Sequence, residues 1–240
     1  MSDEPLSDAP LSQDELAALG ALDTPTVCNA LEVLAPERRG YGYTTESLTC
    51  AWPKLPPIVG YARTATLRSM RPAASGAAEQ RTMRLNYYEY VHDGPRPAIV
   101  VIQDLDPAPG YGAFWGEVQS HLHKALGASG AITNGSIRDL DACAEGFQLL
   151  AGKVAASHAF ANLAAIDIEV TVAGMAVRPG DLIHADRHGA VVIPHALARE
   201  LPAAADLVTR REAVVLEACR REDFGIETLR TALGRADEIH

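Results

Sequence analysis

The sequence predicts one α/β domain, in which short helices precede a sheet and a long helix follows it. Residues 98–104 read as a strand buried on both faces, and a helix and a second strand follow it. Helical spacing of apolar residues recurs near both ends of the chain. Because 240 residues suffice for one substantial core, we expect a single domain over residues 12–240 after a disordered lead-in at residues 1–11.

Two helices are predicted before the sheet. Ser12 and Glu15 have the spacing of a capping box, which opens a short helix. Asp23 supplies a cap and Pro25 a first-turn proline for a second helix, which Pro36 ends.

The middle of the chain predicts a βαβ unit. The strand at 98–104 is followed by a Gly/Pro loop, a helix over 114–126 and a short strand at 131–134. Before this unit, residues 59–69 alternate like a strand with one exposed face, and residues 77–91 read as a helix. Loops after the carboxyl ends of parallel strands are where such sheets present ligand sites.

The second half predicts a compact β-meander followed by helices. Glycine-containing turns separate the predicted strands, and apolar residues then recur at helical spacing. The strands are predicted at 165–173, 175–177, 181–185 and 190–193, the long helix at 196–221, and a short helix after Gly225, while 36–58 is predicted to be a loop.

Composition excludes several classes of protein. A net charge of −10 opposes binding to nucleic acid, whose phosphates require clustered Lys and Arg. No apolar run is long enough to cross a membrane, and the amino terminus is acidic where a signal peptide would be basic, so we expect a cytoplasmic protein. The four cysteines are scattered without a C-x-x-C pair, which favours free thiols over a zinc site.

Three charged residues are placed to meet at one sheet edge. Glu117 lies in the first turn of the helix after the buried strand, and Arg138 and Asp139 follow the next strand. If the two strands are neighbours, these side chains can converge. A carboxylate such as Asp139 suits a hard cation such as Mg²⁺, and the forked guanidinium of Arg138 suits a carboxylate or a developing oxyanion.

The start of the same helix adds backbone donors. The N–H groups of Gly116, Glu117, Val118 and Gln119 lack partners within the helix, so they can hold a substrate carboxylate. Together these groups describe a site that forms an enolate. An Arg-Asp pair in such a place can also be no more than a turn with a helix cap.

Several motifs in order resemble the family that joins the regulator of ribonuclease activity A to the 4-hydroxy-4-methyl-2-oxoglutarate and 4-carboxy-4-hydroxy-2-oxoadipate aldolases. The resemblance covers most of the chain. It rests on Thr24-Pro25-Thr26 with Ala30-Leu31, on Gly60 to Ala65, on Trp115-Gly116-Glu117, on Gly127 to Asp139, on Val177 to Asp181 and on Ala185 to Pro194.

The resemblance implies a swivelling β/β/α fold, RraA-like, in a homotrimer or a dimer of trimers with sites between subunits. It implies that Asp139 binds Mg²⁺ or Mn²⁺, that Arg138 stabilises a pyruvate enolate, and that Glu117 is a further acidic group of the site. Family aldolases also use an acid from a neighbouring subunit, for which Glu212 is the candidate. Two departures are Glu117, where family aldolases commonly have Asp, and Ala142, where many carry a second acid.

The leading hypothesis is therefore a divalent-metal-dependent aldolase or decarboxylase that acts on a small 2-oxo acid or oxo-diacid. The rival is a non-catalytic regulator that binds a ribonuclease, a role to which the net charge of −10 is equally suited. His121 and His123 are expected on different faces of one helix, and His158, His184 and His188 are interpreted as structural histidines.

Overall fold

The computed structural model describes residues 10–240 and has the mixed α/β architecture that the sequence predicts. Helices lie before the sheet, against it and after it. They are α1 (Gln13–Gly20), α2 (Thr24–Leu34), α3 (Ala77–His92), α4 (Glu117–Ala125), α5 (Leu201–Cys219) and α6 (Ile226–Asp237). Across the described part of the chain, every helix is too short or too polar to span a bilayer.

The strands form one large sheet and one small hairpin sheet. They are β1 (Thr49–Cys50), β2 (Ile58–Arg68), β3 (Ala98–Asp104), β4 (Ala113–Trp115), β5 (Ala128–Ile137), β6 (Gln148–Val154), β7 (Asn162–Ile166), β8 (Val170–Val172), β9 (Met175–Val177), β10 (Leu182–Asp186) and β11 (Gly189–Ile193). The large sheet runs in the order β1-β6-β5-β3-β2-β10-β11, with β4 paired to β5 and β7 paired to β2, and β8 pairs with β9.

The centre of the large sheet is parallel. Strands β2, β3, β5 and β6 pair parallel to one another, whereas β1, β7, β10 and β11 pair antiparallel. Leu67 is opposite Asp104, and Ile102 is opposite Thr133, so β2, β3 and β5 end at the same edge. The predicted βαβ unit is confirmed, and its ends bring three loops together at this edge.

The predicted amino-terminal caps are confirmed. The Ser12 side chain accepts a hydrogen bond from the Glu15 N–H, and Glu15 accepts one from the Ser12 N–H. Asp23 accepts one from the Thr26 N–H (2.9 Å) at the start of α2. The predicted disordered lead-in lies outside the described residues except for residues 10 and 11, and the Leu11 N–H donates to the Tyr61 hydroxyl (2.8 Å).

The prediction that residues 59–69 have one exposed face is wrong. Almost every residue of β2 is buried, because β3 flanks it on one side, β7 and β10 flank it on the other, and core clusters cover both faces. Its polar residues predict a face exposed to solvent. In fact Thr64 and Thr66 are buried, and the Arg63 guanidinium lies 4.9 Å from the centre of the Tyr90 ring.

Four other features differ from the predictions. The predicted strand at 165–173 is broken at Asp167, whose φ of 59° is incompatible with an extended chain, so the second half is not a single meander. The helix predicted from residue 114 begins at Glu117, because Ala113–Trp115 pairs with β5 instead. Strand β6 was not predicted, and β1 lies within the predicted loop at 36–58.

A buried aromatic cluster joins α3 to α4. The His123 Nδ1–H donates to the Gln119 carbonyl (2.7 Å), so its Nε2 accepts a hydrogen bond from the Tyr87 hydroxyl (2.7 Å). The imidazole also packs 4.6 Å from the centre of the Trp115 ring. Burial lowers the pKa of His123 to about 4 from its ordinary value of 6.5.

This histidine predicts acid sensitivity of the fold. Between pH 6.5 and 4, His123 is protonated in the unfolded chain but stays neutral in the folded chain. The free energy of unfolding therefore decreases as the pH falls through this window. The free energy of unfolding should lose about 2 kcal/mol at this position by pH 5. Urea unfolding of His123→Gln across this range should show a shallower pH slope than the wild type. The matched His121→Gln change, at an exposed position on the same helix, should leave the slope unchanged.

Candidate functional site

A cleft of about 1270 Å³ opens at the sheet edge where β2, β3 and β5 end. Five stretches of chain line it. They are residues 68–75 with the first turns of α3, residues 106–107, the turn from β4 into α4, residues 138–139 and residues 158–164. Residues Gly116, Glu117, Val118, Gln119, Arg138 and Asp139 all line this cleft, so the structure brings together the site residues predicted from this segment.

The end of β5 fixes the direction of Arg138 and Asp139. The Arg138 N–H donates to the Trp115 carbonyl (2.9 Å), which ties this residue to the strand that enters α4. Asp139 has a φ of 53°, a left-handed conformation that Asp tolerates better than most residues. The chain turns sharply there, and the Ala142 N–H donates to the Asp139 carbonyl (2.9 Å).

The Asp139 carboxylate lies between the guanidinium and the start of α4. Its Oδ2 is 3.5 Å from Arg138 Nε and 3.4 Å from the Glu117 backbone nitrogen. Both distances are long for hydrogen bonds, and about a third of each of the two side chains is exposed. The arrangement has the geometry of a loose helix cap, and it leaves Oδ1 without a hydrogen bond from residues 10–240.

Gly116 permits this close approach. A Cβ added there would lie 2.6 Å from Asp139 Oδ2 and 3.1 Å from Arg138 Cγ. Real Cβ atoms essentially never come as close as the first of these distances. A residue without a side chain is therefore required for the carboxylate and the guanidinium to lie where they do.

The first turn of α4 presents a carboxylate and backbone donors to the cleft. The Ser120 N–H makes the first backbone bond of the helix, to the Gly116 carbonyl (3.0 Å), so the N–H groups of Val118 and Gln119 precede the helical bonding pattern. The Glu117 side chain is exposed, and no residue in 10–240 pairs with its carboxylate. The Gln119 side chain donates a hydrogen bond to the Tyr88 hydroxyl (3.2 Å), which fixes its position.

Within one chain, the acidic residues supply only some of the ligands that a divalent cation needs. Asp139 and Glu117 offer two carboxylates to one cleft, and within residues 10–240 no three His, Cys, Asp or Glu residues are grouped for metal binding. Glu212 is exposed on α5 and does not line the cleft, so a single chain does not bring it to Asp139. Two carboxylates still fit Mg²⁺, which commonly takes one or two protein carboxylates together with substrate oxygens and water.

The histidines follow the structural interpretation with one exception. His121 is exposed and His123 is buried, which confirms that they lie on different faces of α4. His184 bonds to the Thr24 hydroxyl (3.0 Å) and the Leu22 carbonyl (2.9 Å), and thereby joins α2 to β10. The exposed His158, in contrast, lines the cleft, with its Nδ1 donating to the Ala159 carbonyl (2.7 Å).

The sequence does not predict the residues on the far side of the cleft. Arg68, Arg71 and Arg84 line it, as does Asp106. Burial would raise the pKa of Asp106, but hydrogen bonds from the Ser69 and Met70 N–H groups outweigh that effect and lower it. The position of Asp106 just after a buried strand was a signal that could have identified it, because its strand ends at the same edge as β5.

Comparison with known proteins places the chain in a family. The profile of the RraA-like family, described as Aldolase/RraA, matches residues 24–192. A protein of Halalkalibacterium halodurans, provisionally named a 4-hydroxy-4-methyl-2-oxoglutarate aldolase, is 33% identical over 84 residues, which are 34% of this chain and 40% of that protein. The chain thus matches less than half the length of this relative.

Solved structures share the fold across nearly the whole chain. An uncharacterised protein of Pseudomonas syringae pv. tomato is 24% identical with a TM-score of 0.69, over 96% of this chain and 99% of that one. Streptomyces coelicolor RraAS2, described as an unusual member of the RNase ES inhibitor RraA family, is 23% identical with a TM-score of 0.66, over 86% of this chain and 98% of that one. With the family profile matched over most of its length, the chain belongs to the RraA-like family.

Proposed function

We propose that the protein is a divalent-metal-dependent lyase that cleaves a carbon–carbon bond of a 4-hydroxy-2-oxo acid or an oxo-diacid and releases a pyruvate enolate. The observation that carries the proposal is the meeting of Arg138, Asp139 and the start of α4 in one open cleft, with Asp139 Oδ2 within 3.5 Å of Arg138 Nε and 3.4 Å of the Glu117 nitrogen. If Asp139 served only to cap α4, there would be no need for Arg138 and the Glu117 carboxylate to line the same open cleft.

The chain's own groups divide the work between the carboxylate and the neighbouring 2-oxo oxygen of the substrate. The N–H groups at the start of α4 bind the substrate carboxylate, since they are the helix's unbonded donors and lie at its positive end. Arg138 faces the same cleft and pairs with the oxygen on which charge develops as the bond breaks.

Asp139 and Glu117 would hold Mg²⁺ or Mn²⁺. When bound, such a cation acts as a Lewis acid that withdraws charge from the ketone of the 2-oxo acid. Asp139 Oδ1 and the unpaired Glu117 carboxylate are hard oxygen donors of the type these cations prefer. We further propose a homotrimer or a dimer of trimers, in which Glu212 from a neighbouring copy supplies another acid.

Pyruvate release tests the proposal directly. Purified protein is incubated with oxaloacetate or 4-hydroxy-4-methyl-2-oxoglutarate in the presence of Mg²⁺, Mn²⁺ or a chelator, and pyruvate is measured with a coupled assay. We expect turnover that the chelator abolishes and either metal restores. Asp139→Asn should raise the metal concentration needed for half-maximal rate, whereas Asp141→Asn, at an exposed neighbour that does not line the cleft, should not.

Absence of metal-dependent turnover across a panel of 4-hydroxy-2-oxo acids would sink the lyase proposal. That result would favour the alternative hypothesis, a non-catalytic regulator that binds a ribonuclease. If Asp139→Asn and Asp141→Asn need the same metal concentration for half-maximal rate, Asp139 is not a metal ligand.

A further inference from the structure

The cleft extends well beyond the Arg138 end. Its volume of about 1270 Å³ exceeds the roughly 300–1000 Å³ of typical pockets for drug-sized ligands. A pyruvate unit at Arg138 and the start of α4 would therefore fill only part of it. The far wall is built from residues 68–75, the first turns of α3 and residues 158–164.

Arg71 in this wall has a fixed backbone and an unpaired side chain. The Phe160 N–H donates to the Ser69 carbonyl (3.1 Å), and the Asn162 side chain donates to the Arg71 carbonyl (3.3 Å). Asp106 also holds this loop, through the N–H groups of Ser69 and Met70. The Arg71 guanidinium nevertheless has no acidic partner among residues 10–240.

Arg84 approaches the cleft from α3. Gln80, one turn earlier on the same face, donates to the Ser75 carbonyl (2.8 Å) and so ties the loop to the helix. No acidic side chain in the described part of the chain pairs with Arg84. The acids on or beside this wall are Glu79 and Asp106. The Asp106 carboxylate already accepts hydrogen bonds from the loop and lies 3.7 Å from Arg68.

The wall therefore carries an excess of positive charge in a chain whose net charge is −10. Three arginines on this side of the cleft (Arg68, Arg71 and Arg84) outnumber its two acids (Glu79 and Asp106) by one. Met83 and Phe160 lie in the same wall, so apolar surface accompanies the arginines. This combination suits a ligand with carbon atoms next to a terminal anion.

We propose that Arg71 and Arg84 form a second anion subsite, which binds the distal carboxylate of the substrate and makes the enzyme prefer oxo-diacids over oxo-monoacids. The inference rests on the proposed function for the identity of the reacting end. The two arginines are specificity-determining residues, because they contact the part of the substrate that leaves and take no part in breaking the bond.

A pair of substrates of equal chain length tests the subsite. 4-Hydroxy-2-oxoglutarate and 4-hydroxy-2-oxopentanoate differ only in that a terminal carboxylate replaces a methyl group, and they yield pyruvate with glyoxylate or with acetaldehyde. In the wild type, kcat/KM should favour the diacid. Arg71→Gln and Arg84→Gln should each raise KM for the diacid about tenfold, and the double variant more, with KM for the monoacid changed less than twofold.

Arg81→Gln is the matched control, because Arg81 is an exposed residue of α3 that does not line the cleft. It should leave both KM values unchanged. If the wild type turns over both substrates and the double variant keeps the preference for the diacid, the subsite is wrong while the lyase proposal stands.

A binding measurement keeps the two proposals separate if turnover is absent. Calorimetry with 2-oxoglutarate and 2-oxopentanoate compares ligands that again differ only in the distal carboxylate. The wild type should bind the diacid more tightly, and the double variant should bind both equally. Equal affinities in the wild type would overturn the subsite whatever the protein catalyses.

Discussion

Replacing Arg138 with alanine is expected to lower kcat for pyruvate release by roughly 100- to 1000-fold, the usual cost of removing one donor to a developing oxyanion. The charge on the enolate oxygen exists only as the bond breaks, so the loss should fall on kcat more than on KM. Steady-state kinetics with saturating Mg²⁺ measures both constants.

The fold should survive this change. Arg138 and Asp139 are each about a third exposed and 3.5 Å apart, and such an ion pair contributes at most about 1 kcal/mol. Arg138→Lys keeps the charge but loses the fork, and it should recover part of the rate. Unchanged kcat in Arg138→Ala, with unfolding by urea also unchanged, would show that the guanidinium has no part in the reaction.

Much of the near side of the cleft could be predicted because chain order determines it. A buried strand, a helix and a second strand form a parallel unit, and residues that follow such strands meet at one edge. Glu117 and Arg138 could therefore be expected at one site, and the structure has them lining one cleft. The caps at Ser12 and Asp23 were predictable for the related reason that their partners lie three residues away.

Apart from Asp106, which follows strand β3, the far side could not be predicted, because contacts between distant segments create it. Arg71 lines the cleft because the Ser69 loop pairs with Phe160 and Asn162, about 90 positions further along the chain. Nothing in the local sequence around Arg71 indicates that pairing. The exposed face predicted for β2 is wrong for the same reason, because the burial of Thr64 and Thr66 depends on partner strands elsewhere in the chain.

Adding one methyl group at Gly116 is expected to reduce activity by about 100-fold without unfolding the protein. In Gly116→Ala the new Cβ would meet Asp139 Oδ2 at 2.6 Å and Arg138 Cγ at 3.1 Å, so both side chains must move away from the start of α4. Displacement of a reacting group by about 1 Å can cost a factor of about 100 in rate. Because these side chains are partly exposed, they can shift towards solvent, and the stability should change little.

Gly234→Ala is the matched control, since a Cβ at that position in α6 meets nothing within 4 Å. Alanine is favoured over glycine in a helix, so this change should raise stability by roughly 0.5–1 kcal/mol and leave kcat unaltered. Kinetics and urea unfolding of both variants distinguish a local steric effect from a general intolerance of substitution. If Gly116→Ala keeps full activity, Asp139 and Arg138 do not need their present positions for catalysis, and their contact with the start of α4 is a helix cap and nothing more.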